Sequence, residues 1–516
     1  MYMRIEDTIV KIREIYSKRK IYFRSMLSGL LLQAVMVIQG LVIPNMILKS
    51  YGSVLNGLIS TVSQFINYLT FIEMGLMNAA LIALYKPMGI RDFKTVNGVC
   101  AAVDRYYKKI AVYFTIGTFC IGIILPLFIK DDIPLVTIWL VLLALAGINL
   151  TTYLFTGKYH AILTAGNKVY VNNYTQLVGH ILQIILSIYI IRSRWNIALV
   201  KVIVVLINLI EFVLLFSYCK KVFSKIHFKE KPLYSSIKQR KYILFHQICY
   251  LVTNGTDVIL LTLFGNSLGI ISIYSVFNMI GVLMTRVLQS VDSAIEPRMA
   301  QKYVMGEVVE VRRIFSRYKC GYDSLLFLLY ACMAVLIIPF VRIYTRNVHD
   351  VSYDVPVIGL LFCITGLLYN YKIPFKVMND ANGYYKETRY IVVIEAVINI
   401  AVSLILLPKF NIIGVLTGTA VAEVIACVLQ SLFFYRYIFK FRISETIIRI
   451  VLDMAIFIVV YRLSLPIRRL EFVSYMQFVC VGAAVFFTMA IIFAATNSVI
   501  SIITDRIYKE ERYKIL

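Results

Sequence analysis

The chain has 516 residues, of which 60% are hydrophobic and only 16% are charged, and its mean hydropathy is +0.79. A soluble fold cannot bury so large an apolar fraction, so the composition excludes an ordinary soluble protein and predicts one that has lipid as its solvent. The formal net charge of +25 comes from basic residues spread over many short loops, which argues against nucleic-acid binding and favours loops that lie against anionic lipid.

The chain begins with a basic segment, residues 1–23, in which Ile5, Ile9, Ile12 and Tyr16 recur at helical spacing. We expect a short amphipathic helix that lies on the cytoplasmic face of the membrane. The apolar run that follows is too long for the hydrophobic region of a signal peptide.

Fourteen apolar runs are long enough to cross a bilayer as helices, and none shows the period-two alternation of a membrane barrel. We therefore predict an all-α integral membrane protein with about 14 transmembrane helices. The predicted spans are residues 24–49, 54–85, 110–129, 133–157, 169–191, 196–219, 242–264, 268–292, 321–345, 355–377, 388–407, 411–435, 446–465 and 472–503.

The loops between these spans carry very unequal numbers of basic residues. One set of alternate loops, together with both termini, holds 41 Lys and Arg residues, and the other set holds 10. Because basic residues accumulate on the cytoplasmic side, this asymmetry places both termini in the cytoplasm and predicts a multi-pass protein of the plasma (inner) membrane.

Spans one to six recur as spans seven to twelve at an offset of 213 to 215 residues. Pro126 corresponds to Pro339, and Asn167 corresponds to Asn382. Six spans per copy give both copies the same orientation, so we predict two six-helix bundles related by a parallel pseudo-two-fold axis, with a central cavity and alternating access. The predicted parts are a basic segment (1–23), an N-terminal bundle (24–220), a basic linker (221–241), a C-terminal bundle (242–436), helices 13 and 14 (437–503) and a cytoplasmic tail (504–516).

The clearest part of the repeat is residues 51–87, which read YGSVLNGLISTVSQFINYLTFIEMGLMNAALIALYKP, and its counterpart near residue 265. The G-x-x-x-N-G opening, the F-x-E-x-G motif and the L-Y-K-P ending resemble the polysaccharide-exporter branch, or Wzx-type flippases, of the multidrug/oligosaccharidyl-lipid/polysaccharide (MOP) flippase superfamily. The topology extends this resemblance over nearly the whole chain.

The resemblance implies a transporter that flips a polyprenyl-diphosphate-linked oligosaccharide for cell-surface polysaccharide export. Its expected partners are this substrate, membrane lipids, a polysaccharide polymerase and glycosyltransferases, with no nucleic acid. A lipid II flippase differs only in cargo and stays an alternative. A cation-coupled multidrug exporter usually has twelve spans and fits less well. A membrane-embedded glycosyltransferase or ligase would need long external loops, which this chain lacks.

Ionisable residues inside spans are the main candidates for function, since a charge in lipid is costly. Glu73 and Arg286 occupy equivalent places in the two copies, which predicts that they face each other across the cavity. They form either an anion-handling site, in which Arg286 meets a phosphate, or a structural ion pair. Asp257 is a candidate for cation coupling, by resemblance to related multidrug exporters; the alternative is an aspartate hydrogen-bonded to Thr253 or Asn254.

Basic residues at the cytoplasmic ends of spans form a second group, which we expect to line an inner vestibule that suits a diphosphate. The group consists of Arg24, Lys86, Arg298, Lys158 and Lys372. Any protein with positively charged inner loops has such residues, so only their geometry can assign them a role. We interpret Glu395 and Glu423, in spans eleven and twelve, mainly as contacts inside the bundle, with a place in the cavity lining as the alternative.

No catalytic motif is present in the sequence. There is no Walker loop, no H-E-x-x-H and no G-x-S-x-G, and the nine cysteines include no C-x-x-C pair. We therefore predict no enzymatic activity, no cofactor and no bound metal.

Overall fold

A computed structural model describes residues 2–73, 76–234, 255–265, 267–304, 307–381, 384–439 and 444–515, with some side chains in these ranges excepted. All regular structure in these ranges is helical, and they include no strand. This confirms the all-α fold class, as expected for a chain whose backbone groups must be satisfied inside lipid.

The first unit, Met1–Ile248, is built from seven α-helices in its described part. They are α1 (Tyr2–Leu69), α2 (Leu76–Ile90), α3 (Phe93–Ile124), α4 (Leu135–Thr151), α5 (Gly157–Ala165), α6 (Val169–Arg192) and α7 (Ile197–Val222). A π-helical turn, Thr152–Thr156, joins α4 to α5.

The second unit, Cys249–Leu516, contains the other nine helices of the described ranges. They are α8 (Gly255–Phe264), α9 (Leu268–Val304), α10 (Val308–Tyr344), α11 (Pro356–Ala381), α12 (Tyr385–Phe410), α13 (Ile412–Phe433), α14 (Ser444–Leu463), α15 (Leu465–Arg468) and α16 (Tyr475–Ile515). The predicted limits of the bundles and of the linker stay a prediction.

Eleven helices within the described residues are long and apolar enough to cross a membrane, and α8 and part of α2 are shorter apolar helices. One of the eleven, α1, covers both the first predicted span and much of the second, which the non-helical residue Gly52 separates, so the count is lower than fourteen in part because two spans are counted as one. The Ser444–Leu463 helix falls on predicted span thirteen. The chain is a multi-pass membrane protein, and helices of the described residues lie in each predicted span, of which span seven is described only from residue 255.

The second predicted span is not one continuous helix. Thr70–Glu73 forms a 3₁₀ turn within it before α2 begins, and Gly52, which separates it from the first span, leaves helical geometry (φ 82°, ψ 175°). Such a positive φ favours glycine, because a Cβ would be strained there. A proline within a helix usually kinks it, but α1 continues through Pro44 and its non-helical residue is Gly52. Residues 251–254, at the corresponding place in the second copy, lie outside the described residues.

The segment after α7 is held against the first unit. Asn97 of α3 accepts a hydrogen bond from the His227 backbone N–H (3.0 Å) and donates one to the Lys225 carbonyl (3.2 Å). The Leu233 N–H donates to the Gly98 carbonyl at 3.0 Å. We call residues 223–234 the strap. The strap covers the first part of the predicted linker, so that part is an ordered element of the first unit.

Candidate functional site

A cavity of about 350 Å³ lies inside the second unit, among α8, α9, α10, α11 and α13. It combines two carboxylates, one guanidinium, amides, hydroxyls and aromatic rings. The lining residues are Asp257, Tyr274, Asn278, Gly281, Val282, Thr285, Arg286, Gln289, Tyr330, Phe362, Thr365, Gly366, Tyr369, Leu416, Thr419 and Glu423. The guanidinium, the amides and the aromatic rings suit a polar ligand with a negative group beside Arg286, and the two carboxylates make the lining as a whole mixed in charge.

Arg286 supplies the permanent positive charge among these described lining residues, and its side chain is exposed. It lies on α9, next to Thr285 and one helical turn before Gln289, on the cavity side. Its guanidinium forms no ion pair with a lining carboxylate within 4 Å among the described side chains. Its donors are therefore available to a guest in the cavity rather than committed to a structural pair in this unit.

Asp257 lines the same cavity and is buried in α8. Tyr274 donates a hydrogen bond of 3.0 Å to it, and the Thr419 hydroxyl lies 3.2 Å from each of its two oxygens. These partners come from α9 and α13, whereas the sequence pointed to Thr253 or Asn254, which lie outside the described residues. Both partners are neutral, so these hydroxyl groups stabilise the carboxylate without a counter-charge.

Lys372 differs most from its prediction. It lies inside α11 rather than at a vestibule, and its ammonium bridges Glu395 of α12 (2.7 Å) and Glu423 of α13 (2.5 Å). All three side chains are buried. A buried ammonium requires acceptors, and the two spans that follow supply them. Glu423 also lines the cavity, so this group, which we call the Lys372 cluster, reaches the candidate site.

Glu73 belongs to the first unit, where it ends the Thr70–Glu73 turn. It accepts a hydrogen bond of 3.1 Å from the hydroxyl of Tyr107 on α3. The Tyr107 ring stacks on Tyr153, with ring centroids 6.1 Å apart. Glu73 thus has a defined place within its own unit. The prediction that it faces Arg286 stays a prediction.

The basic vestibule residues have different environments. Arg24 and Lys86 are exposed, and the side chain of Arg298 lies outside the described residues. Lys158 forms a 2.6 Å ion pair with Asp104 of α3 and lies 4.8 Å from the centre of the Phe228 ring in the strap. The ammonium group of Lys158 is therefore paired inside the first unit, whereas the side chains of Arg24 and Lys86 are accessible.

Sequence reasoning missed the neutral lining of the cavity. Asn278, Thr285 and Gln289 follow one another on α9 at spacings of seven and four residues. This spacing places them on one helix face together with Arg286. A polar stripe along a membrane helix was the available signal. It was hidden because single amides and hydroxyls lower the hydropathy of a span only slightly.

No protein-family model matches the sequence, and the comparison with curated proteins finds no match. Solved structures do match. An inward-facing multidrug resistance MATE family transporter of the MOP superfamily aligns over 81% of this chain and 95% of its own, with a TM-score of 0.61 and 13% identity. The lipid II flippase MurJ, in an inward closed conformation, aligns over 91% and 98%, with a TM-score of 0.62 and 14% identity. The chain has the fold of MOP-superfamily transporters.

A third match is the MATE multidrug transporter DinF-BH, which aligns over 82% of this chain and 96% of its own, with a TM-score of 0.58 and 15% identity. The TM-scores of 0.58–0.62 and the long alignments establish the shared fold, and identities of 13–15% leave the cargo open. The candidate site is therefore interpreted from its own residues.

Proposed function

We propose that this protein is a flippase that moves a polyprenyl-diphosphate-linked oligosaccharide across the plasma membrane by alternating access, with both termini in the cytoplasm. The observation that carries the proposal is the exposed Arg286 among amides and aromatic rings in the cavity of the second unit. Guanidinium groups bind phosphate oxygens in a planar, bidentate fashion, and amides and aromatic faces suit sugars. The lipid tail would stay in the bilayer, and no covalent chemistry is required.

The helices after residue 440 favour a lipid-linked cargo over a small drug. The MurJ alignment covers 91% of this chain, whereas the two MATE alignments cover 81% and 82%. The sequence has two spans, thirteen and fourteen, outside its repeat, as a fourteen-span flippase requires. A lipid II flippase is the second candidate, because MurJ matches at least as well as the MATE transporters do.

The cargo can be identified by native mass spectrometry of the purified full-length protein with its co-purified lipids. We expect an adduct that fragments into a polyprenyl diphosphate and a sugar chain without peptide. A peptide-bearing adduct would assign the protein to lipid II instead. Expression of the chain in cells depleted of their own lipid II flippase gives an independent answer, because restored growth would contradict the oligosaccharide proposal.

The role of Arg286 can be tested with Arg286→Ala and Arg286→Lys, measured by the cell-surface polysaccharide exported per molecule of folded protein. We expect the alanine variant to lose export by on the order of tenfold or more, because a charge-assisted contact is worth more than ~1.4 kcal/mol. Lysine should restore only part of it, since it lacks the planar fork. Arg389→Ala, at an exposed arginine outside the cavity, is the matched control.

We also propose that Asp257 couples transport to a cation, either a proton or a sodium ion. Its support is a buried carboxylate on the cavity wall with neutral hydroxyl partners. Asp257→Asn keeps an acceptor for Tyr274 but removes the charge. In proteoliposomes, we expect export by this variant to lose its dependence on the sodium or proton gradient. An unchanged dependence on both gradients would reduce Asp257 to a structural residue.

A further inference from the structure

The Lys372 cluster has an excess of negative groups in a region that is costly for charge. Its members are 4% (Lys372), 5% (Glu395) and 2% (Glu423) exposed, and each lies within a candidate membrane span. One ammonium faces two carboxylates. With all three groups ionised, the cluster holds one uncompensated negative charge away from solvent, which is strongly unfavourable in a low-dielectric interior.

The described surroundings do not supply a buried counter-charge. Lys319 of α10 is paired with Asp323 at 2.5 Å and so contributes no net charge. Arg286 lines the cavity without an ion pair to Glu423 within 4 Å among the described side chains. Lys376, one turn further along α11, acts on Glu423 through space, but it is partly exposed and its charge is therefore screened. The other described groups near the cluster are Tyr369, Cys427 and Asp257, which is bonded to Thr419, one turn before Glu423 on α13.

The geometry points to a proton-binding site: we propose that Glu395 and Glu423 hold one proton between them over Lys372, and that this proton exchanges with the cavity through Glu423. One bound proton makes the cluster neutral, with one carboxylate paired to the ammonium and one carboxylic acid beside it. Glu423 is the member that lines the cavity, whereas Glu395 is not among the lining residues. This site is separate from Asp257 and does not depend on the identity of the cargo.

A second cluster in the same protein has the opposite ratio of carboxylates to ammonium groups and provides an internal comparison. Asp104 is one carboxylate held by two ammonium groups, Lys158 at 2.6 Å and Lys108 at 2.8 Å. A carboxylate with two cationic partners has no reason to take up a proton near neutral pH. Asp104 is therefore predicted to be ionised, whereas the pair of Glu395 and Glu423 is predicted to hold a proton, although all three carboxyl groups contact a lysine.

Infrared spectroscopy can detect the proton directly, because a protonated carboxyl group absorbs separately from a carboxylate and shifts in deuterium oxide. The protein is the purified full chain with Asp257→Asn, so that the other cavity carboxylate is silent. Spectra are recorded from about pH 5 to about pH 9, where ordinary glutamates are ionised. Difference spectra between this protein and each further variant cancel the other buried carboxyl groups.

We expect Glu395→Gln and Glu423→Gln each to remove a signal equal to one protonated carboxyl group, since the remaining glutamate then pairs with Lys372. Lys372→Met should raise the signal to two groups, and the control Asp104→Asn should leave it unchanged. Each variant must elute as a single species, and the three substitutions test the cluster independently if one fails to fold. Difference spectra without a protonated-carboxyl band for folded glutamine variants would overturn the proposal. Because the readout is a carboxyl band that differs between variants and not transport of a cargo, a wrong assignment of the cargo cannot produce that result.

Discussion

The hydroxyl of Tyr107 on α3 donates a hydrogen bond of 3.1 Å to Glu73, at the end of the 3₁₀ turn that interrupts the second span. Tyr107 is 1% exposed, so its hydroxyl depends on this acceptor. The contact gives Glu73 a structural role within the first unit, whether or not it also serves transport.

The structural role of Glu73 can be separated from a role of its charge. Glu73→Gln keeps an oxygen acceptor for Tyr107, whereas Glu73→Ala leaves the buried hydroxyl unpaired at a cost of about 1–3 kcal/mol. We therefore expect alanine to lower thermal stability and glutamine to preserve it, as followed by thermal unfolding of the purified protein. If glutamine then abolishes export in a stable protein, the charge itself is needed. Equal stability of the two variants would contradict the structural role.

The two lysines of Asp104 should differ in their importance to stability. Lys158 is 16% exposed and Lys108 is 63% exposed, although both contact the same carboxylate. Exposed ion pairs contribute little, so the loss of the largely buried Lys158 would leave Asp104 with only the solvent-screened Lys108 as its partner. We expect Lys158→Met to reduce protein level and melting temperature clearly, and Lys108→Met to have little effect. A loss of cargo binding by Lys158→Met with unchanged stability would instead support the vestibule role predicted from the sequence.

Helices α12 and α13 approach each other closely at Gly418. A Cβ at this position would lie 2.3 Å from Ser403 Oγ and 2.7 Å from the Ser403 backbone nitrogen, so one of the two helices would have to move. Small residues permit such close contact between membrane helices. We expect Gly418→Val to destabilise the protein by about 1–3 kcal/mol or more. Gly321→Ala, at a glycine where a Cβ would meet open space, is the control in the same unit.

The predicted orientation can be tested by labelling with impermeant thiol reagents in intact cells. Arg91 and Lys229 are exposed in the structure and lie in predicted cytoplasmic loops. Cysteines at these positions should stay unlabelled until the membrane is opened, in a background that lacks the exposed native Cys120 and Cys480. Ready labelling of both positions in intact cells would reverse the topology.

The membrane helices could be predicted from the sequence because the hydropathy of a span is a local property of the chain. The partners of Lys372 could not, because they lie 23 and 51 residues away on other helices. A lysine near the end of a span has the same local sequence whether it reaches out to the headgroups or turns inward. The two acids in spans eleven and twelve were the available signal, since buried carboxylates need a nearby partner.

Asp257 and Arg286 were predicted from the sequence, but their surroundings were not. Their isolation in apolar runs identified both as candidates, and the structure brings them to one cavity in the second unit. The amides and rings between them were not predicted, because neutral side chains at single positions carry no signal of the direction in which they point. Glu73 and Tyr107 likewise required the fold, since the broken span that aligns them depends on packing against α3.

The strap has a practical consequence for anyone who modifies this protein. A basic loop between two halves of a transporter is an attractive place for an epitope tag, a protease site or a fluorescent domain. Here the loop from residue 223 to residue 234 is bonded to Asn97 and Gly98, and Leu233 Cδ1 would lie 2.7 Å from a Cβ at position 98. An insertion there would detach it from α3. The short connection between Lys130 and Pro134, in which Lys130, Asp132 and Pro134 are exposed, is an alternative place for the same purpose.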